Sequence, residues 1–307
     1  MTDVAIAQTH LTGAAAGTTL GQQVRTQLER VPDALIVFAA PGQDHLALLE
    51  GLASAAGTRT IVGCSSAGEF TRDESGQGLT NVTAIRAPSI RFSAVVGTRL
   101  AADAVGAARA MAKDFIGANV PDFPFRAALV LVDALAGHTE ELIDALTVAT
   151  AGTYRFFGGG AGDDARFERT QVFCGTSVYA DAAVALEIAS QKAVGIGARH
   201  GWAPASPPLR VTQADAGRLV SLNAAPAVEA FEEHAERSTQ HFDRRDPMPF
   251  FLHNVVGVET PGGYKLRVPL GIAEDGSVVC AAEVPEGTTT HIMSTGGDSA
   301  AKAAAEA

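Results

Sequence analysis

Two glycine-rich stretches constrain this chain more than anything else in it: Gly63-Cys64-Ser65-Ser66-Ala67-Gly68-Glu69 and Gly158-Gly159-Gly160-Ala161-Gly162-Asp163-Asp164. Each follows an apolar, strand-like run (residues 58–62 and 154–157), and each carries Ala-Gly followed by an acid. Upstream of both, over residues 34–69 and 127–163, the order is strand, helix, strand, glycine turn. That repetition predicts an internal duplication, with function where the two turns meet.

Hydrophobic periodicity supplies the rest of the outline. A strand is expected near residues 4–10, and Leu20, Val24, Leu28 and Val31 recur at helical spacing up to Pro32. Residues 34–39 form a continuous apolar run short enough for a buried strand, and a helix over 46–56 ends at Gly57. Residues 80–86 and 90–96 flank Pro88-Ser89 and predict a hairpin. A helix over 105–115, a strand over 127–132 and a helix over 138–149 follow. Short strand-like runs then begin at residue 170 and continue through 194–200. A helix over 225–234 precedes a charged loop over 236–249. Strands over 250–258, 264–269 and 278–282 are joined by Pro261-Gly262-Gly263 and Asp275-Gly276 turns, and the tail 299–307 has helical propensity. The expected class is α+β (mixed α/β), a layered sheet-and-helix architecture with a mainly antiparallel second half. The expected domains are 1–170 and 171–307.

Composition narrows the partners. With 307 residues, 47% hydrophobic and 19% charged, the chain can bury a large core. A net charge of -11 repels phosphate backbones and anionic lipid, so neither nucleic acid nor a membrane surface is expected. No basic cluster precedes an apolar core at the N-terminus, so no signal peptide is expected. Cys64, Cys174 and Cys280 are far apart and odd in number, which points to free thiols in a reducing, cytoplasmic setting.

A glycine turn that opens a helix can cradle an anion. Neither turn here precedes a helix-like run, carries Lys-Ser/Thr, or has G-x-G-x-x-G spacing, which argues against a nucleotide. The glycines then either approach a small ligand or allow close backbone packing. Cys64 or Ser65 on a sharp turn is a candidate nucleophile with His200 or His138 as base, but the G-x-S-x-G elbow is absent. A small buried cysteine is the commoner meaning of Cys64. Asp163 and Asp164 suit either a ligand amine or a turn cap. His200 and Trp202, the chain's one tryptophan, share a proline-rich loop suited to a pocket wall or a haem iron, against a plain structural histidine. His234 and His241 flank the charged segment and are expected to be solvated.

In this order the residues resemble the FIST domain. The resemblance runs from Val62-Gly63-Cys64-Ser65-Ser66-Ala67-Gly68-Glu69 and Phe157-Gly158-Gly159-Gly160-Ala161-Gly162-Asp163-Asp164 through Gly201-Trp202-Ala203-Pro204 and Val211-Thr212-Gln213-Ala214. It goes on through Leu222 and Pro226-Ala227-Val228-Glu229, and closes with Leu266-Arg267-Val268-Pro269 and Val284-Pro285-Glu286-Gly287. It spans nearly the whole chain, an N-terminal part followed by a C-terminal part. The resemblance implies an intracellular sensory module of bacterial signal transduction that binds small ligands such as amino acids. One branch of the family binds haem and senses nitric oxide, relaying to a histidine kinase and cyclic-di-GMP turnover; in eukaryotes the module sits in an F-box protein.

The expectation is therefore a non-enzymatic sensor that relays to a histidine kinase or a cyclic-di-GMP enzyme. Its ligand would lie between the paired turns and the C-terminal half. The residues expected to contact it are Gly63, Cys64, Ser65, Ser66, Gly158, Gly159, Gly160, Asp163, Asp164, His200 and Trp202. Haem b is one version of that ligand, with His200 on the iron. The alternative is a hydrolase-like enzyme using Cys64 or Ser65. Three departures from the family pattern stand out. His138 replaces the usual Asn, Met248-Pro249-Phe250 replaces His-Pro-Leu, and the family continues past Pro285-Glu286-Gly287 through further helix and strand elements, implying a C-terminal domain incomplete at its end.

Overall fold

The computed structural model describes residues 2–71, 74–215 and 217–307. In its first half one order of elements occurs twice. Strand β1 (Asp3–Thr9), helix α1 (Gly13–Leu28), β2 (Ala34–Ala39), α2 (His45–Ala56) and β3 (Ile61–Ser65) lead into a small hairpin, β4 (Glu69–Phe70) and β5 (Ser75–Gly76), and then β6 (Thr80–Arg86). The order recurs as β7 (Ile90–Thr98), α3 (Ala104–Asp114), β8 (Phe125–Val132), α4 (Thr139–Ala149), β9 (Arg155–Gly160), a hairpin of β10 (Val172–Cys174) and β11 (Ser177–Tyr179), and β12 (Ala182–Ser190).

The pairings recur as well. One sheet contains β1-β6-β2-β3 and the other is β7-β12-β8-β9; β2–β3 and β8–β9 are parallel and the other neighbours antiparallel. Single hydrogen bonds match across the copies. Ala40 N–H donates to Leu79 O and Asp133 N–H to Ala182 O, both at 2.9 Å; Ser66 N–H donates to Ala39 O at 3.1 Å and Ala161 N–H to Val132 O at 2.8 Å. The duplication thus spans residues 3–86 and 90–190, more than its glycine turns suggest. It also pairs Ala161 with Ser66, one position away from the Ala-Gly-acid alignment.

Strand alternation turns each apolar run into two interfaces. Leu35, Val37 and Ala39 pack under α1 and α2, while Ala34, Ile36 and Phe38 face the second sheet. Likewise Ala128, Val130 and Val132 lie under α3 and α4, and Leu129 and Leu131 point back between the sheets. The result is four layers: helices, sheet, sheet, helices. Strands covered on both faces read as unbroken apolar segments, which is why periodicity located them so well.

Three expectations change. Residues 80–86 and 90–96 are not a hairpin: β6 lies between β1 and β2 while β7 pairs with β12, so Pro88-Ser89 is where the chain passes from one sheet to the other. Residues 194–200 form no strand. The compact units are Met1–Ile196 and Gly197–Ala307, a later division than 170/171, because β10 and β12 pair with β3, β7 and β8 and so complete the first unit's sheets.

The second unit has β13 (Ala203–Pro204), β14 (Leu209–Asp215), β15 (Arg218–Leu222), β16 (Ala225–Pro226), α5 (Ala227–Ser238) and α6 (Met248–Phe251). They are followed by β17 (Val255–Thr260), β18 (Gly263–Arg267), β19 (Pro269–Ile272), β20 (Val278–Cys280), β21 (Thr289–Ser294) and α7 (Gly297–Glu306). Its sheet runs β18-β17-β21-β14-β15-β20-β19, with every pairing antiparallel. Phe231, Phe250 and Phe251 anchor its core. The strand expected over 250–258 begins only at Val255, since Pro247 and Pro249 favour a first helical turn and α6 forms there.

His234 is buried in this unit, not solvated. Its Nε2–H donates to Asn254 Oδ1 at 3.1 Å, and the fully buried Asn254 amide donates to Gln240 Oε1 at 2.7 Å and Phe250 O at 3.0 Å. Burial, aided by the Arg237 charge and opposed by the Asn254 hydrogen bond, holds its pKa below the ordinary 6.5. The unfolded chain therefore takes up the proton first. Stability from this group is present above the unfolded pKa and is lost as pH falls through that value toward the folded one. Denaturant titrations of the wild type should show lower stability at pH 5.5 than at pH 7. In His234→Gln that difference should shrink.

Candidate functional site

The two glycine stretches are strand ends before they are turns. Gly63, Cys64 and Ser65 are the last residues of β3, and Gly158, Gly159 and Gly160 the last of β9; the chain turns away at Ser66 and Ala161. A Cβ on Gly63 would lie 2.2 Å from Val37 O and 3.0 Å from the Phe173 ring, and one on its counterpart Gly158 would lie 1.7 Å from Val130 O. These two glycines exist because the neighbouring parallel strand is too close for a side chain. Gly159 is different: a Cβ there meets nothing within 4 Å.

The two strand ends touch. Gly162 N–H donates to Ser65 O at 2.8 Å, and a Cβ on Gly162 would come within 2.8 Å of Ala67 N. The contact lies beyond the carboxyl ends of the parallel strands, the general location of ligand crevices in α/β sheets. Backbone dominates its exposed surface, from Ala67 on one side and Gly158, Gly159 and Gly160 on the other.

Side chains around this junction are mostly committed to holding loops. Ser65 is buried; its Oγ accepts from Gln171 N–H at 2.9 Å, and its own N–H donates to Gln171 O at 2.9 Å. Ser66 Oγ donates to Glu69 Oε1 at 2.5 Å, and Glu69 Oε2 accepts from Leu79 N–H at 3.0 Å. The Asp163 carboxylate accepts from the N–H groups of Phe167, Glu168 and Arg169 at 3.0, 2.7 and 3.0 Å. Burial pushes its pKa upward, but the backbone donors of Arg169, Glu168, Phe167 and Arg166 outweigh this and hold it below the usual carboxylate value. Asp164 has a different environment. Its backbone is left-handed at φ 58°, as it is at Ala165 (58°) and Phe167 (56°), and its Oδ1 is shut off from solvent with no hydrogen-bond partner among the described residues.

Two supporting residues escaped sequence reasoning. Asp133, at the end of β8, accepts from Leu135 N–H, Asp181 N–H and the Thr170 hydroxyl. An acid directly after an apolar strand and two residues before an N–H it caps was the available signal. His45 is buried at the start of α2. Its Nε2 bonds Ala40 O at 3.0 Å, and its Nδ1 meets the Gln171 side-chain amide at 2.9 Å, fixing the segment that holds Ser65. A lone histidine after Asp44 carried no such message.

Cys64 points into the layer between the sheets beside Val62, Leu131 and Val184, and burial pushes its pKa up to about 12. A thiol so placed is not a thiolate near neutral pH. Among the described residues the Ser65 hydroxyl has no hydrogen bond to an imidazole or carboxylate. His138 is exposed at the start of α4, with Nδ1 3.0 Å from Glu141 Oε2. His200 and the half-buried Trp202 belong to the second unit, where His200 Nε2–H donates to Tyr264 O at 3.1 Å.

Haem held by His200 would need that imidazole free and facing an apolar slot. His200 is exposed with Nε2 engaged, and among the described residues no histidine lines two of the first unit's clefts, one of about 650 Å³ between α3 and α4 and one of about 280 Å³ beside Phe125 and Arg155. His200 as placed does not fit a haem ligand. Among the described residues no group of three or more His, Cys, Asp or Glu is placed to hold a metal ion, and no helix is long and apolar enough to cross a membrane.

Fold and site together define a duplicated two-sheet α/β sandwich with a backbone-lined junction at paired strand ends, joined to an antiparallel second unit. The FIST N domain matches residues 33–225 and the FIST C domain residues 227–307, and the chain belongs to the FIST family, whose domains are associated with signal-transduction sensing. The border between the two family regions falls inside the second structural unit, just before α5. The solved structure of cyanuric acid hydrolase from A. caulinodans is similar over 62% of this chain and 72% of that one, at 10% identity and a TM-score of 0.32, a likeness that decides neither fold nor activity. No curated protein matches the chain.

Proposed function

We propose that this protein is a cytoplasmic sensor that binds a small amine-bearing, amino-acid-like metabolite at the joined ends of β3 and β9. Its binding would be relayed to a signalling partner such as a histidine kinase or a cyclic-di-GMP enzyme. The observation that carries this reading is the Asp164 oxygen. A buried carboxylate oxygen without a donor costs about 1–3 kcal/mol, and non-glycine residues in the left-handed region cost on the order of 1 kcal/mol or more each. The loop bears both burdens while Asp163 clamps it in place. An ammonium group admitted by a local shift of this loop is the donor that the covered Asp164 oxygen lacks, and Arg166 and Arg169, exposed in the same loop, suit the carboxylate of a zwitterion. Membership of a sensing family supports the signalling role, and three free cysteines suit a reducing compartment. No observation favours the hydrolase: Cys64 is buried as a thiol, and Ser65 lacks a base among the described residues.

Thermal denaturation against the common amino acids and their decarboxylated amines tests the proposal. A true ligand at 100 times its Kd should stabilise the fold by about 2.7 kcal/mol. Asp164→Asn should be as stable as the wild type without ligand and should lose the response. A screen in which no amine shifts the transition, or an Asp164→Asn protein that responds like the wild type, would sink it.

A further inference from the structure

β3 and β9 are counterparts in the duplication, yet their outer edges differ. β10 covers the edge of β3 antiparallel, with Val172, Phe173 and Cys174 opposite Cys64, Gly63 and Val62. The outward peptide groups of β3 are used: Ser65 N–H donates to Gln171 O, and Ile61 O accepts from Gly175 N–H, both at 2.9 Å. β9 is the last strand of its sheet, and among the described residues nothing pairs with its outer edge. The first repeat's own hairpin, β4–β5, stands as a separate two-stranded sheet.

The outward groups on β9 follow from strand alternation. Ala161 N–H points inward to Val132 O, so Phe156, Gly158 and Gly160 turn N–H and C=O outward, as Ile61, Gly63 and Ser65 do on β3. Gly158, Gly159 and Gly160 are exposed and have no side chains to screen those groups. Natural sheet edges are commonly blunted by lysine, proline, bulges or a covering element. β9 has only Arg155, at its start.

We propose that the outer edge of β9 receives an antiparallel strand from a partner protein, of the apolar–aromatic–small kind that β10 supplies to β3. The internal copy shows what suits such an edge. Phe173 is fully buried with its ring against Gly63 and 4.9 Å from the His45 ring, and Gly158 is the counterpart of Gly63. Main-chain hydrogen bonds would supply affinity and the aromatic side chain specificity. A second copy of β9 is a poorer occupant, because it would bring glycines with nothing to bury and a chain of net charge -11 against its like.

The test is an anisotropy titration of the full chain against a labelled synthetic peptide with the sequence of residues 171–180, its cysteine replaced by serine. Binding is expected, weakened at least tenfold by Gly159→Lys in the protein or Phe173→Ala in the peptide. Gly159 has open space around it, so Gly159→Lys should fold with an unchanged thermal transition. Val148→Glu, on the exposed face of α4 (80% exposed), should bind normally. Asp164→Asn should also bind normally, which separates this proposal from the amine site. The idea is overturned if the wild type does not bind the peptide, or if Gly159→Lys binds as the wild type does. Sedimentation showing a dimer that Gly159→Lys dissolves would make a second copy the occupant and overturn the partner strand.

Discussion

Gly158→Ala is expected to destabilise the protein by about 4 kcal/mol or more, and Gly159→Ala, one residue away, by no more than about 0.5 kcal/mol. The contrast comes from two observations. A methyl group at Gly158 would sit 1.7 Å from Val130 O and 2.7 Å from Val130 C, whereas at Gly159 it meets no atom within 4 Å. Val130 O is main chain in the middle of β8, held between β12 and β9, so it has no rotamer by which to escape. Relief would require β8 and β9 to separate along their parallel pairing. Gly63→Ala should behave like Gly158→Ala, because its methyl would lie 2.2 Å from Val37 O, the equivalent carbonyl of the first repeat. Denaturant unfolding of the three variants checks all of this. If Gly158→Ala and Gly159→Ala cost the same, the strand packing described for β9 is wrong.

Glu187→Ala is expected to cost about 4 kcal/mol, and Glu187→Gln about half of that. Glu187 on β12 is fully buried, and its carboxylate accepts from Ile116 N–H and Gly117 N–H at 2.7 Å each and from the Tyr154 hydroxyl at 2.5 Å. Three donors from two other segments thus converge on one charge. Alanine strands all three and leaves a cavity; glutamine keeps the volume but turns an NH₂ toward N–H groups. The Tyr154 hydroxyl reports on the arrangement, since burial and then the bond to Glu187 raise its pKa above the ordinary 10. Spectroscopic titration of folded Glu187→Gln should bring that tyrosine back toward its ordinary range. A variant with unchanged stability and an unchanged tyrosine titration would show that Glu187 does not organise this corner.

Elements buried on both sides were the legible part of the fold. Residues 34–39 became β2 without a shift, α2 ends at the Gly57 cap, and the strand-helix-strand duplication is present. The meeting of the two glycine stretches was legible, because similar stretches in a duplicated unit had to lie at matching strand ends. Their internal division was not legible. Gly63 and Gly158 are packing glycines, Gly159 is open, Asp163 is a loop clamp and Asp164 holds an unmatched oxygen, yet all read alike as turn residues.

Local pattern settled most of the first unit's strands and helices, how many times the unit occurs, and the family to which the chain belongs, since periodicity, caps and motif order are properties of neighbouring residues. Partner choice was left to the tertiary structure. A short strand after a proline turn alternates in the same way whether it folds back as a hairpin or crosses to another sheet, so β6 and β7 looked paired and are not. For the same reason β10 looked like the start of a second domain and instead closes the edge of β3, while the equivalent edge of β9 is unpaired among the described residues. Strand pairing is decided by which edges remain available once the cores have formed, and that is settled by contacts between residues far apart in the chain.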